Sequence, residues 1–276
     1  MELLTAPFEP ARRAPPTAIW RPLVGVSLAM LAAVGMGRVL AGPGGLAGEI
    51  GLAVQGTALH GGFIAQGLVL ALDGHGAWRP AVLRVTGTLL AGFLLSRLSP
   101  WGGLALLAVP VVLRRECRGF PVLARIGALG PTRRRHVVIG LAAGVFLGAH
   151  LLVTSSRTFG YSVSVPSLAG YATALAYDVG ANALSAEWLF RGALFSHWWR
   201  RGGFWGAAGT ATALSLTRYL LDPALPPTAE ARAGALFYLA ALSLVGALLR
   251  AWSGSLVPGY LAAIAFFAAY RTLVVG

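Results

Sequence analysis

Apolar segments about as long as a membrane-spanning helix recur along almost the whole chain, separated by short polar breaks. Of the 276 residues, 57% are hydrophobic and only 11% are charged. A helix needs about 20 consecutive apolar residues to cross a bilayer. The sequence therefore predicts an all-α polytopic membrane protein with about nine transmembrane helices. The candidate spans are 19–41, 51–72, 81–97, 101–113, 136–153, 171–199, 204–221, 232–250 and 254–272.

The net charge of +13 lies mainly in the breaks between these spans. If the N-terminus is cytoplasmic, arginines gather in alternate breaks, which contain Arg12, Arg13, the loop 114–135, Arg200, Arg201 and Arg250. This is the positive-inside pattern of an integral membrane protein. We therefore expect the bacterial inner (plasma) membrane, with a cytoplasmic N-terminus. The pieces between spans are too short to fold into a nucleic-acid-binding domain, so no nucleic acid partner is predicted.

The longest polar break, residues 114–135, divides the candidate spans into two groups. Residues 1–113 hold about four spans, and residues 136–276 hold about five. Segment 101–113 would measure about 20 Å as a helix at 1.5 Å per residue, so whether it crosses fully stays open. The role of the first four spans and the oligomeric state do not follow from the sequence.

Glycines recur every four residues along the fifth span, at Gly140, Gly144 and Gly148. This spacing aligns them on one helix face and predicts close approach of a neighbouring backbone. Many of the other glycines lie inside spans, and the sequence contains no phosphate-binding glycine motif. The histidines, at 60, 75, 136, 150 and 197, have no metal-ligand spacing, and Cys117 is the single cysteine. We therefore predict no metal and no cofactor.

A glutamate and an arginine lie inside the candidate span 171–199, in the stretch "AEWLFRGALF". Charged residues at the bilayer centre cost about 2.5–3.5 kcal/mol on insertion scales, so they are functional candidates. Glu187 and Arg191 are four residues apart and share a helix face. Counted from the intervening turn, Arg218 lies at the same depth as Glu187 on the next helix, about 20 Å in. We expect these three residues to form a structural charge cluster.

A second polar stripe lies on the outer half of the same span. Asp178 and Asn182 are four residues apart, and Ser185 lies close to their line. Such a stripe is consistent with a water-accessible cavity or peptide groove, or with a hydrogen-bonding seam between helices. A small-solute transporter that uses this stripe is a further class of function, which flux in proteoliposomes would reveal.

The stretch "AEWLFRGALF" resembles the first motif, Glu-Glu-x-x-x-Arg, of the CPBP family, the CAAX proteases and bacteriocin-processing enzymes also called Abi. The segment "SGSLVPGYLAA", Ser253–Ala263, is similar to the one that leads into the family's last motif. The resemblance covers roughly residues 130–275 and implies a CPBP-like C-terminal helical bundle. It also implies an intramembrane endopeptidase in which a glutamate and a histidine activate water.

The chain departs from that pattern at the positions that carry the chemistry. Ala186 replaces the first glutamate of the motif. Arg218 falls where the family has the histidine of Phe-x-x-x-His, and Ala263 and Phe267 fall where it has His-x-x-x-Asn. An arginine does not deprotonate in proteins, so it cannot replace histidine as an acid–base group. The second glutamate and the arginine of the first motif are retained.

The leading hypothesis is a non-proteolytic family member that binds or presents a membrane-anchored protein or peptide within the lipid bilayer. Its candidate cavity would be lined by Asp178, Asn182, Ser185, Ala186, Ala263 and Phe267. The alternative is a divergent active protease in which Glu187 is the catalytic base and works with a histidine from another span. His60 and His150 lie in other spans, whereas His197 lies about 15 Å along the same helix as Glu187.

Overall fold

The computed structural model describes residues 16–42, 44–72, 78–118, 132–165, 167–199, 202–220 and 228–274. The described residues form helices α1 (Pro16–Ala41), α2 (Gly45–Ala71), α3 (Trp78–Leu98), α4 (Ala108–Arg118), α5 (Arg134–Phe159), α6 (168–199), α7 (Phe204–Leu220), α8 (Ala229–Ser253) and α9 (Val257–Tyr270). A 3₁₀ helix, Gly102–Leu107, leads into α4. Within the described ranges the prediction of an all-α chain is confirmed, apart from one short strand pair.

Four of the described helices are long and apolar enough to cross a membrane: Ile19–Ala41 in α1, Trp78–Leu98, Arg134–Phe159 and Ala229–Ser253. Each falls on a candidate span of the sequence. The weak span 101–113 forms the 3₁₀ helix and the start of α4. The last helix, α9, has 14 residues and is therefore about 21 Å long.

Helix ends follow local sequence signals. The side chains of Ser167 and Thr228 accept backbone N–H bonds at the first turns of α6 and α8. Helices α5 and α8 end at Gly160 and Gly254, whose φ values of 68° and 70° favour a residue without a side chain. Ser167 thus marks the start of α6, which carries most of the candidate site residues.

Backbone contacts divide the chain into two compact units, which we call unit N and unit C. Unit N contains α1 to α4 together with residues 167–189 of α6. Unit C contains α5, the rest of α6, and α7 to α9. The boundary between them falls inside α6. The basic loop predicted over residues 114–135 lies for the most part outside the described residues.

Within unit N, glycines allow helices to approach one another closely. A Cβ atom added at Gly37 of α1 would lie 2.7 Å from the backbone N of Gln55 of α2. Gly180 of α6 is in backbone contact with Leu106 of the 3₁₀ helix, and Gly103 faces the Thr173 side chain. Small residues therefore set the helix spacing in this unit.

Within unit C, the glycine stripe of α5 packs against α9. Gly140 faces the backbone of Pro258, and Gly144 faces the backbone of Ala262. A Cβ atom at Gly148 would lie 2.7 Å from that of Ala269. The predicted close approach of a neighbouring backbone to this stripe is confirmed. The strands β1 (Ser162–Val163) and β2 (Leu273–Val274), which follow α5 and α9, pair antiparallel.

Candidate functional site

Helix α6 carries most of the predicted site residues, and its central part lies in the interior. Every residue from 180 to 193 is buried. Asp178 and Ser185 have no exposed surface, and Glu187 and Arg191 are 2% and 3% exposed. Buried polar groups cost free energy unless they are hydrogen-bonded. The bonds that these side chains make therefore decide what the helix can do.

Two stretches of α6, Asp178–Asn182 and Glu187–Leu194, are π-helical. A π-helix bonds each residue to the one five positions away, is rare, and is frequent at functional sites. Both stretches begin at a predicted site residue with a carboxylate. The apolar pattern does not predict these π-helical stretches, because the whole segment is apolar on most sides.

In unit N, His60 of α2 bonds to α6 through both ring nitrogens. Its Nδ1 lies 2.9 Å from Ser185 Oγ, and its Nε2 lies 3.1 Å from Tyr177 Oη. The imidazole is 1% exposed and stacks against Phe93 with ring centroids 6.1 Å apart. A histidine from another helix thus bonds to α6 two residues before Glu187. His60 is one of the two histidines in other candidate spans, and the sequence predicts no contact for it.

The polar stripe of α6 is hydrogen-bonded within itself. Asn182 Nδ2 donates to Asp178 Oδ1 at 2.8 Å, and Ser185 Oγ donates to the Asn182 carbonyl at 3.3 Å. Together with the His60 contact, these bonds favour the hydrogen-bonding seam over the water-accessible cavity as the role of the stripe. The hydrogen bonds form a chain that begins at the fully buried Asp178, passes through Asn182, Ser185 and His60, and ends at the half-buried Tyr177.

Trp188 fixes the position of α6 against α2 in unit N. Its indole Nε1 donates to the Ile64 carbonyl at 3.2 Å, and the residue is 1% exposed. A Cβ atom added at Gly67 would lie 2.5 Å from the indole ring, so only glycine leaves space for it. Trp188, the residue that follows Glu187, therefore anchors this part of α6 to α2.

In unit C, two buried arginines bond to hydroxyl groups. Arg191 Nη1 donates to Ser215 Oγ of α7 at 3.1 Å. Arg250 of α8 is 1% exposed, and its Nη2 lies 3.5 Å from Ser196 Oγ of α6. The sequence predicts that Arg250 lies in a cytoplasmic break. It lies in the last turn of α8, and its side chain is buried beside Ser196.

The three members of the predicted charge cluster have different surroundings. Glu187 belongs to the unit N part of α6, whereas Arg191 and Arg218 belong to unit C. The half-buried Arg218 has its guanidinium carbon 5.0 Å from the Tyr219 ring centroid, within range of a cation–π contact. The cluster itself stays a prediction.

The remaining predicted positions are buried and apolar. Ala186 and Ala263 are each 1% exposed, and Phe267 is 5% exposed. Their role as a cavity lining also stays a prediction. The other two histidines of the alternative hypothesis are less buried than His60. His150 is an exposed residue of α5, and its Nδ1 lies 2.6 Å from Tyr238 Oη. His197 is half-buried.

Comparison with known proteins gives no relative. No protein-family model, curated protein or solved structure matches this chain. Among the residues that the structure describes, no three His, Cys, Asp or Glu side chains are grouped so that they could hold a metal ion.

Proposed function

We propose that this chain is a polytopic protein of the bacterial inner membrane with about nine spans and a cytoplasmic N-terminus. The four long apolar helices support a membrane location. The alternation of arginine-bearing breaks supports the orientation. The C-terminal helices would form a CPBP-like bundle, on the strength of the motifs in α6 and around Ser253–Ala263.

We further propose that the chain binds or presents a membrane-anchored protein or peptide without cleaving it. The observation that carries this proposal is the hydrogen bonding of the buried polar residues of α6. Asp178 bonds to Asn182, Ser185 to His60, and Arg191 to Ser215. The second and third of these bonds hold α6 to α2 and to α7. The family's other motif positions are here occupied by Ala186, Arg218, Ala263 and Phe267, none of which can act as a general base.

Photo-cross-linking tests this function. The purified protein in lipid nanodiscs would be incubated with a prenylated peptide and with a single-span peptide, each carrying a diazirine group and an isotopic label. We expect at least one intact peptide to become linked to the protein. Intact mass measurement would show whether the linked peptide has been cut. A peptide that is captured only as a fragment would contradict the proposal, and so would the absence of any specific capture.

A second candidate function is a divergent intramembrane protease. The contact between His60 and Ser185 favours it, because it brings an imidazole to the helix that contains Glu187. In this mechanism the Glu187 carboxylate would take a proton from a water molecule, and the imidazole would transfer protons to the leaving group. Separate substitutions His60→Ala, His150→Ala and His197→Ala distinguish the two functions. Loss of peptide cleavage only in His60→Ala would favour the protease.

A further inference from the structure

A groove of about 580 Å³ opens between α1, α2 and α3 in unit N. Each helix contributes residues spaced three or four apart, which places them on one face. On α3 they are Trp78, Val82, Thr86 and Leu90, which cover about 18 Å of helix. The volume lies within the range of sites that bind small molecules.

The shape of the groove follows from how the helices cross. Near one end, Gly37 of α1 and Gly51 of α2 bring the two backbones into contact. Farther along, the spacing is set by side chains, since Met30 of α1 fills the space beside Gly62 of α2. The helices therefore separate toward the start of α1, where the groove residues Pro22 and Gly25 lie.

Contacts along the helices identify which residues lie at the open end. Gln66 of α2 donates to Ser27 of α1 at 3.2 Å, and Gly61 of α2 faces Thr86 of α3. Gly56 of α2 also faces Phe93 of α3, so the contacts move back along α2 as they advance along α3. Neighbouring helices therefore run antiparallel. The first turns of α1 and α3 thus meet the last turns of α2 at the same end of the unit.

That end is cationic and aromatic. Arg79 lines the groove, is exposed, and has its guanidinium carbon 5.9 Å from the Trp78 ring centroid. Arg21 is also exposed and precedes the groove residue Pro22 on α1. The rest of the lining is mostly apolar, with small residues such as Gly25 leaving the space. Apolar walls that end in guanidinium groups match a ligand with a hydrocarbon chain and an anionic head.

We propose that the α1–α3 groove binds an acyl chain of an anionic phospholipid, with the phosphate-bearing head group at the Arg79 end. Tryptophan and arginine are the side chains that lie at head-group depth in membrane proteins, which places that end at the bilayer interface. The proposal rests on the membrane location proposed above but not on the function of α6. The proposed lipid site lies on α1, α2 and α3 and contains no residue of the α6 motif.

A pair of glycines in α1 allows a matched test. A Cβ atom at Gly25 or at Gly35 would meet nothing within 4 Å, and both residues are exposed. Gly25 lines the groove and Gly35 is not among its lining residues. The change Gly25→Leu therefore fills the groove without a backbone clash, and Gly35→Leu adds the same side chain elsewhere on the helix.

The probes are dioleoyl phosphatidylglycerol and dioleoyl phosphatidylcholine, which have the same chains and differ in head-group charge. Binding to the delipidated full chain in detergent would be measured by native mass spectrometry. We expect preferential binding of phosphatidylglycerol. Gly25→Leu should weaken it about tenfold, which corresponds to lost burial of about two methylene groups, whereas Gly35→Leu should not. Arg79→Gln should weaken phosphatidylglycerol binding about fivefold and should weaken phosphatidylcholine binding less, because the choline cation offsets the charge of its phosphate.

Equal binding of the two lipids, or equal effects of the two leucine variants, would overturn the proposal. A second measurement uses the unaltered protein, in case Gly25→Leu does not fold. Phosphatidylglycerol with six-carbon chains should bind much more weakly than the dioleoyl form, and equal affinity would show that the groove takes no chain. A lipid-free dimer in the same spectra would assign the groove to a second copy. Carbonate extraction of cell membranes tests membrane insertion separately.

Discussion

The packing of α5 on α9 predicts that one glycine-to-alanine change lowers the free energy of unfolding, whereas a second one, in α7, raises it. At Gly144, an added Cβ atom would lie 2.7 Å from Cα of Ala262 and would also meet its carbonyl oxygen. The obstacle is backbone, so no side chain can rotate away. At Gly209 of α7, also in unit C, the added atom would meet nothing within 4 Å.

The magnitudes follow from two opposing effects. Alanine is better than glycine inside a helix by about 0.8–1.0 kcal/mol. Overpacking of an interior contact costs about 1–3 kcal/mol, and a rigid backbone contact belongs in the upper part of that range. We therefore expect Gly144→Ala to lower the free energy of unfolding by about 1–2 kcal/mol. Gly209→Ala should raise it by about 0.5–1 kcal/mol.

The two variants should be compared in the same detergent, by thermal unfolding followed through tryptophan fluorescence and by denaturation in mixed micelles. The expected result is a lower midpoint for Gly144→Ala and a higher midpoint for Gly209→Ala. A Gly144→Ala protein as stable as Gly209→Ala would refute the backbone contact between α5 and α9. Size-exclusion profiles show whether both variants remain folded at the starting temperature.

Two further predictions concern side chains in unit N. Burial, and then the Glu116 carboxylate, raise the pKa of Cys117 from 9.0 to about 12. The thiolate is the reactive form, so maleimide labelling at pH 8 should be about a thousandfold slower than for an ordinary exposed thiol, and should keep rising with pH beyond 9. Rapid labelling of the folded protein with a plateau near pH 9 would contradict this. Trp188→Ala should cost about 3–5 kcal/mol of unfolding free energy, because a fully buried ring and its bond to Ile64 are lost. The 69% exposed Trp205 is the control, and equal destabilisation by Trp205→Ala would show that Trp188 does not hold α6 in place.

The four long apolar helices could be predicted from the sequence because each is a continuous apolar run of membrane-spanning length. The close approach at Gly140 and Gly144 could be predicted as well, since a four-residue glycine spacing has one geometric meaning in a helix. In both cases the information is local in the chain. The structural consequence then follows from helix periodicity alone. The end of α4 could not be predicted, because its arginines and Glu116 resemble a polar loop.

The partners of the site residues could not be predicted in the same way. His60 and Ser185 are 125 residues apart, and a single sequence does not reveal which face of α2 meets α6. The π-helical stretch that begins at Glu187 changes the directions of the side chains that follow it, and no residue pattern in the sequence predicts that stretch. Arg250 resembles the arginines of the polar breaks, and only the packing of α8 beside Ser196 of α6 shows that its side chain is buried.

The central proposal is that the carboxylate of Glu187, a residue that is 2% exposed, has a structural role and does not activate water. Hydrolysis of a membrane-anchored peptide in water enriched in ¹⁸O tests it most directly, because every cleaved bond acquires one label at the new carboxyl group. We predict that labelled fragments form no faster with the unaltered protein than with Glu187→Gln or His60→Ala. Labelled fragments from the unaltered protein that disappear in both variants would contradict the claim.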